Sequence, residues 1–94
     1  MARKQTAQNY ALPACLVRGQ LDQLRQSLRE LIDAEAKIEI DAGNVIEIDA
    51  AGLQLLLSGA VYARENGKVF SYNLVSDPVR EAAKANRLDE DLGL

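Results

Sequence analysis

Between Val45 and Leu57 the apolar residues change their period. Val45-Ile46-Glu47-Ile48 alternates with period two, as a half-buried strand does, and from Leu53 onward the spacing is that of a helix. The change is complete within Asp49-Ala50-Ala51-Gly52, so a strand must run into a helix with almost no loop between them. A strand that passes directly into a helix is the first half of a crossover to a parallel neighbour.

The remaining pattern repeats that theme. Leu21, Leu24, Leu28, Leu31 and Ile32 form one stripe of a helix predicted from about Asp22 to Glu35, with Gln23, Arg25, Gln26, Arg29, Glu30 and Asp33 on its wet face. Lys37-Ile38-Glu39-Ile40-Asp41 alternates strictly, and Ala42-Gly43-Asn44 follows as a turn. The pentapeptide Ile-Glu-Ile-Asp-Ala occurs at Ile38–Ala42 and again at Ile46–Ala50, which reads as two adjacent segments facing one core rather than as a repeat architecture. Upstream, Tyr10 to Val17 reads as a strand whose well-paired part is Ala14 to Arg18, because Pro13 cannot donate to a ladder. Residues 1–9 are unpatterned and read as a frayed terminus or a weak edge strand.

In the second helix Leu53, Leu56, Leu57, Ala60, Val61 and Arg64 give the core-facing spacing, Leu55 and Tyr62 widen the apolar face, and Asn66-Gly67 ends it. Val69 to Val75 is the next strand. A third helix then starts with Asp77 as N-cap and Pro78 in the first turn, and Val79, Ala82, Ala83 and Asn86 give it a narrow contact face. The acidic tail carries Leu88, Leu92 and Leu94 as anchors. The expected fold is α/β: one domain over residues 1–94, a central, mostly parallel mixed sheet of about four strands, and about three helices mainly on one face.

Composition removes whole classes of chemistry. With no His and one Cys, the chain builds neither a nitrogen- and sulfur-ligated metal site nor a Ser-His or Cys-His nucleophile pair. The eleven Lys and Arg residues are scattered over a chain of net charge −3, which makes nucleic acid a poor partner. No run reaches the roughly 20 apolar residues of a membrane span, and the N-terminus has no secretory signal, so the expected location is the cytoplasm. Cys15 reads as a small core residue, and Tyr62 and Tyr72 as packing. No residue is expected to be catalytic, and no cofactor is expected.

What stands out is the turn itself. Asp49 is placed to cap the free amides of the first helical turn, Gly52 permits a close approach of backbone or ligand, and a helix N-terminus attracts anions. A capped helix start with a glycine tucked under a neighbouring strand fits these residues as well as a binding site does.

The stretch Val45-Ile46-Glu47-Ile48-Asp49-Ala50-Ala51-Gly52-Leu53-Gln54-Leu55-Leu56 resembles the signature of STAS domains, the fold of bacterial anti-anti-sigma factors. Gly19-Gln20-Leu21-Asp22 resembles the family's entry to its first helix, Asn66-Gly67 before Val69 its step to the following strand, and Ser76-Asp77-Pro78-Val79-Arg80 its entry to the third helix. The resemblance implies a regulatory module that binds another protein through Asp49, Ala50, Ala51, Gly52, Leu53, Gln54 and Leu57, together with Gly19, Gln20 and Asp22. It departs from the family at the switch: the phosphorylated Ser or Thr that follows the Asp is here Ala50, and Ala51 also lacks a hydroxyl. Arg87-Leu88 also replaces a frequent Gly-Leu near the end.

Loss of the acceptor implies either a permanently binding-competent state or recruitment to a role in which phosphorylation never mattered; Ser58 and Ser76 are hydroxyls elsewhere that nothing singles out. Two functions follow from the resemblance: a partner of an anti-sigma-type or chemotaxis kinase, or a cytoplasmic accessory subunit beside the ATPase of a phospholipid-transporting ABC system. A third, from another class, is a nucleotide or small-anion sensor using the free amides of Ala51, Gly52 and Leu53. The apolar second helix leaves a homodimer open.

Overall fold

The structure, a computed structural model, describes residues 8–94. Its elements are β1 (Gln8–Ala11), β2 (Cys15–Leu16), α1 (Asp22–Ala34), β3 (Lys37–Asp41), β4 (Glu47–Ile48), α2 (Ala50–Glu65), β5 (Val69–Asn73) and α3 (Asp77–Ala85). The architecture is α/β as the pattern requires, and every strand pairing is parallel, with no antiparallel member among the described residues.

The strands form two ladders, β1-β3-β5 and β2-β4. Pro13 explains the division. The Leu12 N–H still bonds the Asp41 carbonyl, continuing the β1–β3 ladder. Past the proline, which has no N–H, the Ala14 carbonyl accepts from Ile46 and Glu47, and the chain has moved from β3 to β4. The expectation that pairing would begin only after Pro13 is therefore corrected: pairing occurs on both sides, and Gln8–Ala11 makes the longer ladder, with Tyr10 opposite Ile40. Of residues 1–9, Gln8 and Asn9 belong to this edge strand, and 1–7 lie outside the described residues.

The sheet is one-sided. Ile38 and Ile40 are fully buried and stand in register with Phe70 and Tyr72, whereas Lys37 and Val69 are exposed and Glu39 and Ser71 are half-buried on the other face. The helices cover the apolar face. From α1, Leu24, Leu28 and Ile32 enter the core; α2 contributes Leu53, Leu55, Leu56, Ala60 and Ala63; α3 contributes Val79 and Ala83. Leu92 is buried, with Leu88 and Leu94 packed beside it, so the tail is anchored as its leucines suggested.

Four details differ from the sequence reading. On α2 the core takes Ala63, while Arg64 and Val61 are exposed. Arg64 instead donates to the Asp91 carbonyl and holds the tail. The two pentapeptides do not share one environment: Ile38 and Ile40 are buried, but Ile46 is 72% exposed, since it precedes the short β4 ladder. The N-cap of α3 is Ser76 rather than Asp77, and it makes no side-chain cap bond. Cys15 is half-buried, its thiol directed at Glu47 Oε1 at 3.8 Å.

Candidate functional site

Parallel strands place their following loops at one end of the sheet, where α/β proteins hold their sites. Here the β2–α1 loop and the β4–α2 turn meet there. Asp49 joins them. Its Oδ1 accepts from the Gly52 N–H at 2.9 Å, capping α2, and its Oδ2 accepts from the Arg18 N–H at 2.9 Å. The Asp49 N–H in turn donates to the Leu16 carbonyl. The Arg18 amide, then the Gly52 amide, hold the Asp49 carboxyl below the usual carboxylate range.

Gly52 is dictated by space. A Cβ there would lie 2.0 Å from the Leu16 carbonyl oxygen and 2.9 Å from the Leu16 Cβ. The first turn of α2 thus rests directly on the β2 backbone, an approach that no other residue permits. Gly19 serves differently: the Gln20 N–H bonds the Val17 carbonyl, closing a turn in which Gly19 has φ +91°. That turn delivers Arg18 to Asp49.

The residues named from the sequence therefore divide into three groups. Ala50, Gln54, Gly19, Gln20 and Asp22 are exposed, Asp49, Ala51 and Leu57 are half-buried, and Gly52 and Leu53 are buried and shape the surface from beneath. Asp49 brings the Gly19 loop to the α2 start. Leu57 instead packs against the core cluster. Of the three amides considered for an anion, Gly52 is taken by the Asp49 carboxylate and Leu53 by the Asp49 carbonyl. The chain's own carboxylate fills the anion position.

Ala50 stands exposed at the first turn with a methyl group where a hydroxyl would be modified. The hydroxyl of Ser58 is on an exposed residue, while Ser76 Oγ is enclosed and has no hydrogen-bond partner among the described residues. Arg18 was not anticipated as a site residue, because it acts through its amide, which no side-chain pattern reveals. Also unanticipated is a half-open groove of about 550 Å³ between α1 and α2, where Arg25 and Arg29 face Gln54 and Ser58. Their i, i+4 spacing on each helix was visible, but nothing in it said that the two helices would face each other. Among the described residues no cluster of three or more His, Cys, Asp or Glu side chains is placed to hold a metal ion, and no helix is long and apolar enough to cross a membrane.

No curated protein gives a match to this chain. A family model described as "Mlab, STAS domain" matches residues 15–94, which takes in both loops of the site, all three helices and the tail. The chain belongs to the STAS domain family.

Proposed function

We propose that this chain is a non-catalytic, cytoplasmic bacterial regulatory module that acts by binding another protein through the α2 start and the Gly19 loop, free of phosphorylation control at the usual position. The observation that carries the reading is Ala50. It is exposed at the first turn of α2, beside a loop pinned by Asp49, and it offers a small apolar surface with no acceptor for a phosphoryl group. In phosphorylated relatives a phosphate there would add about two negative charges to the docking surface. A fixed methyl group keeps the surface permanently ready. The partner is an anti-sigma-type or chemotaxis kinase, with a regulatory role in transcription or signalling.

A second reading is favoured by the name Mlab in the description of the matching family. On this reading the chain is a cytoplasmic accessory subunit that braces the ATPase of a phospholipid-transporting ABC system, through the same surface. The nucleotide-sensor reading draws less support, since the Gly52 and Leu53 amides it needs are engaged within the chain.

Affinity capture from the native cell, comparing the wild type with Ala50→Glu, tests the proposal. A partner retained by the wild type and lost by a folded Ala50→Glu supports it. Recovery of a kinase favours the first reading, and an ATPase with its permease the second. Equal capture by both proteins overturns the assignment of the surface.

A further inference from the structure

The groove between α1 and α2 combines an aliphatic floor with two arginines. Its floor is aliphatic: Leu28, Ile32 and Leu55 are 2%, 1% and 5% exposed. One wall carries Arg25 and Arg29, the other Gln54 and Ser58, and none of its lining residues is acidic, although the chain has net charge −3. Arg29 is held in place, its guanidinium carbon 5.2 Å from the Tyr62 ring centroid. The Tyr62 hydroxyl donates to Asp33 Oδ1 at 2.5 Å, and Asp33 does not line the groove.

We propose that this groove binds a small amphipathic anion: one carboxylate or phosphate group held by Arg25 and Arg29, on a short aliphatic body lying over Leu28, Ile32 and Leu55. The volume is within the range of small-molecule sites, roughly 300–1,000 Å³, and an apolar floor with a few convergent polar groups is their usual chemistry. Guanidinium groups bind both headgroups through paired donors. A protein helix suits the groove less well. Docking of that kind buries exposed apolar side chains, and the large exposed ones here, Ile46, Val61, Val69 and Leu74, all lie outside the groove. Ala51 and Gln54 also belong to the partner surface described above, but the ligand is argued from the groove's own lining and its test is read without a partner.

The test is an amide-resolved NMR titration of the full chain below micelle concentrations, with octanoate and octyl phosphate as probes. Octanol, inorganic phosphate and octyltrimethylammonium serve as comparisons. Saturable shifts confined to residues 25–32 and 51–62 are expected for at least one anion, and the preferred headgroup separates a carboxylate from a phosphate ligand. Octanol, phosphate and the cation should each bind at least about tenfold more weakly, as should the anion to an Arg25→Gln/Arg29→Gln protein. Ser58→Leu keeps both arginines and fills the groove, so it should abolish binding of the tail. Equal binding of anion and cation, shifts that map elsewhere, or no saturable shift at millimolar probe would overturn the proposal, whether or not the variants fold.

Discussion

Gly52 lies so close to Leu16 that a β-carbon on it would sit 2.0 Å from the Leu16 carbonyl oxygen. The obstacle is backbone, which cannot swing away as a side-chain tip can. Gly52→Ala is expected to cost about 3 kcal/mol, at the upper end for overpacking. Thermal unfolding followed by circular dichroism should show a fall in Tm of roughly 12 °C or more. Gly59 is the control on the same helix. Its added methyl would meet the Tyr72 hydroxyl at 3.2 Å, and alanine gains up to about 1 kcal/mol in helix propensity, so Gly59→Ala should be near neutral.

Asp49 ties stability to acid pH. Its carboxyl is held below its ordinary value, chiefly by the Arg18 amide. A group depressed in the folded state stabilises fully above its unfolded value, about 3.9, and loses that contribution as pH falls through the folded value. Asp49→Asn should therefore be less stable than the wild type at pH 6–7, and the gap between the two should shrink as pH falls below the unfolded carboxylate value and through the lower folded one. A gap that stays constant across this range would show that the charge of Asp49 plays no part.

Tyr72 is buried, and its hydroxyl donates to the Leu56 carbonyl at 2.6 Å, joining β5 to α2. Burial pushes its ionisation far above the ordinary tyrosine range. Tyr72→Phe should lose about 1 kcal/mol, since the Leu56 carbonyl keeps its helical partner. Ultraviolet titration should show one tyrosine that ionises only as the wild type unfolds, and this signal should vanish in the variant.

Ser76 occupies the N-cap of α3, where a serine replaced by alanine ordinarily costs about 1 kcal/mol. Here its hydroxyl is enclosed and makes no cap bond. Ser76→Ala should therefore be neutral or slightly stabilising in a denaturant titration. A loss of 1 kcal/mol or more would mean that the hydroxyl caps the helix in solution.

Ala50 is exposed on the first turn of α2, where a carboxylate is favourable to the helix dipole. Ala50→Glu should keep stability within about 0.5 kcal/mol of the wild type. Its effect is expected on partner capture alone, which separates docking from folding.

The residue pattern by itself determined the class of fold, the boundaries of α1 and α2, the Asp49 cap and the absence of a hydroxyl at Ala50. These are consequences of period, capping chemistry and residue identity, and each is local in the chain. Tertiary structure decided the rest. Whether Gly52 served a ligand or packing depended on Leu16, 36 positions away, whose carbonyl fills the space. The role of Asp49 as a clamp depended on the Arg18 amide, and backbone groups leave no trace in side-chain patterning. Ile38 and Ile46 open the two copies of one pentapeptide, yet Ile38 lies within the β3 ladder and is buried while Ile46 precedes the short β4 ladder and is exposed. The groove of Arg25 and Arg29 exists only because α1 packs beside α2, which brings residues of both helices into one lining. Local chemistry set the turn at Asp49-Ala50-Ala51-Gly52, and long-range packing decided which of its groups still face outward.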